Sequence, residues 1–134
     1  MATWIENRFT RETRLAEGAD NLWQKIVASI EECCDSFNEH YRHLGSAHYK
    51  ATNGHRIVVT ITLFGSGSLA VNRTVAVDFS RPQCAIDVSV DGESTITFPM
   101  GSDDSSVFVM ASEGSMVVDD FSRRVLEKSL FNKP

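Results

Sequence analysis

The stretch Ala47-His-Tyr-Lys-Ala-Thr-Asn-Gly-His-Arg-Ile-Val-Val-Thr-Ile-Thr-Leu-Phe64 decides how this chain folds. Its Asn53-Gly54 pair is the strongest short-range signal for a β-hairpin, because both residue types accept the positive φ that a tight turn between twisted strands requires. After the turn, Ile57, Val59, Ile61 and Leu63 fall on one face of the segment 55–64, and the segment 47–52 supplies its antiparallel partner. A period of two with a single apolar face describes a sheet that is covered on one side and wet on the other.

The same pattern continues toward the C-terminus. Gly65-Ser-Gly-Ser68 reads as the next turn, and Leu69, Val71, Val75, Val77 and Phe79 share one face of a third strand. Ile86, Val88 and Val90 mark a fourth strand, and Asp91-Gly92 turns it into a fifth carrying Ile96, Phe98 and Met100. A polar loop over 101–106 leads to a sixth strand at 107–111. Strands so closely spaced must be mostly antiparallel, since a parallel crossover needs about a dozen residues or more. The period then becomes helical over 115–131, with Val118, Phe121, Val125 and Leu126 as its stripe. Asp119 and Asp120 precede Arg123, Arg124 and Lys128, the order that the helix dipole favours.

Toward the N-terminus a long helical stripe runs through Leu15, Ala19, Leu22, Ile26, Ile30, Cys33, Phe37, Tyr41 and Leu44. Its step averages about 3.6, which suits a straight helix packed on a core. The spacing predicts a helix from Ala19 or Asp20 to Arg42, with Gly45 as its C-cap. Gly18 complicates the start, because a helix-interior glycine costs about 1 kcal/mol relative to alanine. Residues 1–17 either extend this helix or form a separate arm, and Thr3-Trp-Ile-Glu6 fits a capping box. The expectation is one α+β domain spanning 1–134, with 1–17 as a possible arm. Its sheet of five to six mostly antiparallel strands is covered by a long N-terminal and a C-terminal helix.

Composition narrows the class. The chain has 134 residues, 42% of hydrophobic types, and a net charge of −5. That suits one globular domain and is too apolar for disorder. No apolar run approaches the roughly 20 residues of a membrane helix. The acidic balance argues against nucleic acid and anionic membranes, and Glu6, Glu12 and Glu17 dilute the arginines at 8, 11 and 14. The N-terminal segment lacks the apolar core of a secretory signal. Cys33, Cys34 and Cys84 do not suit a disulfide framework, so reduced thiols and a cytoplasmic location are expected. The Asn72-Arg-Thr74 sequon then reads as chance.

Six groups of residues are weighed as candidate sites. His40, His43 and His48, with Glu39 or Cys34, form a possible metal set, although their spacing matches no zinc signature and no cofactor is expected. Arg73 continues the alternation of Val71 and Val75, so it falls on the core face. A guanidinium there must find a carboxylate, carbonyls or a bound anion, or else snorkel to solvent. Tyr41 is the second candidate ligand contact. Trp4, Ile5 and Phe9 are large apolar residues in an otherwise polar segment, and they either close the core or dock on a partner. Cys33 and Cys34 stand among acidic residues that disfavour a thiolate. Gly65-Ser-Gly-Ser68 lacks the lysine and helix of a phosphate cradle, and Asp103-Asp104 lacks calcium-loop spacing.

The leading expectation is a non-enzymatic intracellular binding module that forms a homodimer or docks on a protein partner. The alternative is a small-molecule pocket between sheet and helix, in which Arg73 holds an anionic group. A metal-dependent enzyme built on the three histidines is the third reading.

Overall fold

The computed structural model describes residues 3–52, 54–64, 70–80, 83–91, 94–102, 107–111 and 114–131. Helix α1 spans Thr3–His40 and is followed by seven strands: β1 (Gly45–Thr52), β2 (Arg56–Phe64), β3 (Ala70–Ser80), β4 (Ala85–Val90), β5 (Ile96–Ser102), β6 (Val107–Ala111) and β7 (Gly114–Met116). Helix α2, Val118–Phe131, ends the described chain. The strands form one sheet in the order β1-β2-β3-β4-β5-β6-β7, each antiparallel to the next. The α+β class and the two covering helices agree with the sequence pattern, and the strand count rises by one. Strand β7 takes Gly114–Met116, so α2 starts at Val118 and not at Ser115. A three-residue strand carries too little alternation to be read from sequence.

The hairpin stands where Asn53-Gly54 places it. Its last pair is Thr52↔Arg56, so three residues separate the strands where two were expected. Gly54 has φ 70°, the left-handed conformation that makes glycine useful there. Asn53 itself, the Gly65–Ser68 turn, Leu69, Gly92 and the Asp103-Asp104 pair lie outside the described residues.

Alternation decides the core. Ile57, Val59, Ile61, Val75, Val77, Phe79, Ile86 and Val88 are buried on the face that the helices cover. From α1, Leu22, Trp23, Ile26, Ile30, Cys34 and Phe37 are buried against them. Ile96 departs from the pattern and is 60% exposed, although Phe98 and Met100 on the same strand are buried.

Helix α1 is longer than the sequence spacing indicated. It runs unbroken through Gly18, and glycine stands there because a side chain has no room: a Cβ on Gly18 would collide with Val107 of β6. The residue that looked like a helix boundary is a close-packing point. At the other end the helix stops at His40, so Tyr41 and Leu44 leave the stripe and are exposed. Gly45 begins β1 and is no C-cap; a Cβ there would strike the backbone of Thr62.

Three contacts fix the helix to the sheet. Gly18 lies against Val107, and Trp23 donates from Nε1 to the Gly54 carbonyl at 2.9 Å while stacking on Phe79. Asn38 is the third: its carboxamide donates to the Ala47 carbonyl and accepts from the Ala47 N–H, both at 2.7 Å. It thereby supplies the free edge of β1 with the two bonds that a further strand would have made. The helix touches β1 as well as β5 and β6, so the sheet curls around it. No pairing closes β1 onto β7 among the described residues.

Asn38→Ala leaves two backbone groups of the 1%-exposed Ala47 unpaired. The expected cost is about 2 kcal/mol in urea unfolding. Gly18→Ala is expected to lower stability despite its better helix propensity. Adding Val107→Ala should then recover part of the loss, a non-additivity readable from a double-mutant cycle.

Candidate functional site

The sheet is not uniformly paired, and its irregularity makes a cleft. In its first half β5 pairs with β4, from Val88↔Ile96 to Ala85↔Pro99. In its second half it pairs with β6, from Met100↔Val109 to Ser102↔Val107. The Met100 N–H donates to the Cys84 carbonyl on the β4 side at 2.8 Å. Successive residues present their backbone groups to opposite sides, so the nitrogen of Pro99 faces β6. Proline has no N–H to give, and the β5–β6 ladder stops there.

Beyond that point the sheet and α2 enclose a cleft of about 870 Å³. Its walls are apolar: Val88, Val90, Ile96, Phe98, Met110 and Val125. This explains Ile96, whose side chain stands at the cleft and not in the core. Three cationic side chains line the same space: Arg73 from β3, and Arg124 and Lys128 from α2. Among the described lining residues Asp91 is the one carboxylate. It has φ 47° and accepts the Thr74 N–H through Oδ1 at 2.6 Å, so it tethers the end of β4 to β3.

Arg73 is half-buried, on the face that the alternation assigned to it. One guanidinium nitrogen donates to the Lys128 carbonyl at 3.2 Å. That carbonyl belongs to the last turn of α2, where backbone acceptors have no partner within the helix and the dipole favours a cation. A guanidinium has five N–H donors, so this bond leaves others available. Arg124 and Lys128 are four residues apart and therefore neighbours on one helix face. Like charges at that spacing cost a few tenths of a kcal/mol.

The other candidates lie elsewhere. Tyr41 does not reach the cleft; its ring packs on Phe37 and Phe131, with centroids 5.7 and 5.0 Å away, in a shallow hollow on another side of Lys128. His40, His43 and His48 are all exposed, and His43 lies beside Tyr41. No group of three His, Cys, Asp or Glu residues among those described is placed to hold a metal ion. Trp4, Ile5 and Phe9 are exposed along α1 at 68%, 50% and 69%, so they do not close the core. The sequence spacing did not single out Arg124, Lys128, Asp91 or Pro99. A usable signal existed in two cations four apart at the border of the α2 stripe, and in a proline within a strand pattern.

Cys33, Cys34 and Cys84 are thiols, none of them in a disulfide. Burial pushes the Cys34 thiol up to about 12, with Cys33, Asp35 and Glu31 adding to the effect. Burial also raises Cys33, helped by Asp119 and Glu32, and raises Cys84. None is activated as a nucleophile.

The chain matches no family model, no curated protein and no solved structure.

The Cys34 shift has a pH consequence. Below the ordinary thiol value of 9.0 both folded and unfolded chains keep the proton, and this group contributes no pH dependence. Between there and about 12 the unfolded chain releases it first, so stability falls as pH rises. Urea midpoints measured from pH 8 to 11 are expected to fall less steeply in Cys34→Ala than in the parent, whatever the offset between the two proteins.

Proposed function

We propose that this chain is a binding module whose ligand site is the cleft between the sheet and α2. Its ligand carries an apolar body and one anionic group. One observation carries the reading: three cations converge on an apolar cleft in a chain whose net charge is −5. The apolar walls receive the body of the ligand. The cations set its orientation and draw it in, since a concave site of low polarity focuses the field of charges on its rim.

Arg73 is the anchor in this reading. Its bond to the Lys128 carbonyl holds the guanidinium in place before any ligand arrives, so less side-chain freedom is lost on binding. Arg124 and Lys128 add two further positive charges to the same wall of the cleft. With one carboxylate and no histidine or cysteine among the described lining residues, the cleft offers no acid–base pair or activated nucleophile. This supports binding over turnover.

Decanoate, with decanol as its uncharged counterpart, tests the proposal by titration calorimetry and thermal shift. Decanoate is expected to bind and to raise the melting temperature more than decanol does. Lys128→Gln and Arg124→Gln should each weaken decanoate about fivefold, while Asp91→Asn, which keeps the acceptor for Thr74, strengthens it by a similar factor. Arg73→Gln removes the anchor and the α2 cap together, so affinity and stability both fall. Binding that ignores charge on the ligand and on these residues, or no binding at all, overturns the reading.

A further inference from the structure

Helix α1 has 38 residues and is therefore roughly 57 Å long, well beyond the breadth of the body it covers. Residues 3–13 are exposed throughout, and burial begins only at Arg14 and Leu15. Three turns of helix thus project from the domain. Eighteen residues make five full turns, so Trp4 stands in line with Leu22, Ile5 with Trp23 and Phe9 with Val27. Trp4, Ile5 and Phe9 thus continue the flanks of the stripe that forms the core, while the Arg8–Glu12 ion pair stands in line with Ile26 and Ile30 at its centre, and nothing among the described residues covers this face.

We propose that this arm pairs with the arm of a second copy of the chain, side by side and antiparallel. Area is the first argument. The exposed parts of Trp4, Ile5 and Phe9 amount to roughly 400 Å² per copy. Their polar flanks bring two such arms above the roughly 1,000 Å² of total area that a specific interface needs. Charge is the second. Within 3–17 the three glutamates balance the three arginines, so the whole net charge of −5 lies elsewhere on the chain. Two copies repel each other at their bodies and meet without net repulsion at their arms.

Charge also sets the direction. Parallel arms would bring two acidic bodies side by side, whereas antiparallel arms hold them at opposite ends and oppose the two helix dipoles. With the twofold axis near Asn7, Ile5 rests against Phe9 of the second copy. Trp4 then lies between Arg8 and Arg11 of that copy, within reach of their cations. Arg8 already donates to Glu12 of its own helix at 2.8 Å, so that charge enters the contact paired.

Sedimentation velocity on the full chain from 1 to 100 µM tests the pairing, and X-ray scattering tests its geometry. The parent is expected to dimerise, with a maximum dimension of roughly 90 Å: two bodies plus the overlapped arms. Ile5→Glu and Phe9→Glu should each weaken the dimer at least tenfold without moving the thermal melt, because both positions are exposed. Phe9→Leu should keep it. A monomer at 100 µM, a compact dimer, or a dimer indifferent to Phe9→Glu overturns the proposal. These readouts are independent of decanoate binding, so the arm and the cleft stand or fall separately.

Discussion

An antiparallel sheet with one apolar face cannot be left open to water, and in this chain one helix does most of the covering. Everything else depends on where α1 is held. Asn38 supplies the missing hydrogen-bond partner of the β1 edge, Trp23 reaches the β1–β2 turn, and Gly18 admits Val107 of β6 into close contact. Strands at both ends of the sheet are thus drawn onto one helix, which curls the sheet without closing it. The polar contact between helices follows from the same arrangement: Ser122 donates to Ser29 at 2.8 Å, and Ser29 donates to Asp119 at 3.2 Å. A buried hydroxyl pair is satisfied there by its neighbours.

The cleft arises where that covering is incomplete. A strand that exchanges one partner for another at Pro99 leaves its first half uncovered on the β6 side, and α2 spans the gap with Val125 as well as with two cations. The contact of Arg73 with α2 is compatible with the binding role proposed for it. Capping α2 accounts for why the guanidinium is tolerated on a core face, and Arg73 lines the cleft at the same time. The arm has a different origin. It exists because α1 outruns the sheet, and its neutrality within an acidic chain sets it apart from the rest of the surface.

Legibility followed the length and regularity of each pattern. Strands β1 to β6, the long helix and the antiparallel order could be read because alternation and helical spacing persist over many residues. Strand β7 was too short for any period to show. The start of α1 was left open between an extension through 1–17 and a separate arm because Gly18 lowers helix propensity locally, while the packing that rewards it lies on a strand some ninety residues away in sequence. Gly45 was misjudged for a similar reason: its small size serves the backbone of β2, not a helix end. Arg73 was found by alternation alone. Arg124 and Lys128 were read only as residues that suit the helix dipole, since their convergence with Arg73 depends on how α2 lies across the sheet.

The sequence by itself determined the α+β class, the order of its elements, the core face of most strands and the one basic residue on that face. These follow from local periodicity and from turn chemistry, which need no distant partner. The tertiary structure alone decided how the sheet curls, where its ladder breaks, which three cations share a cleft, and that eleven residues of α1 leave the body. Each of these rests on contacts between segments far apart in the chain, and no local pattern encodes such contacts.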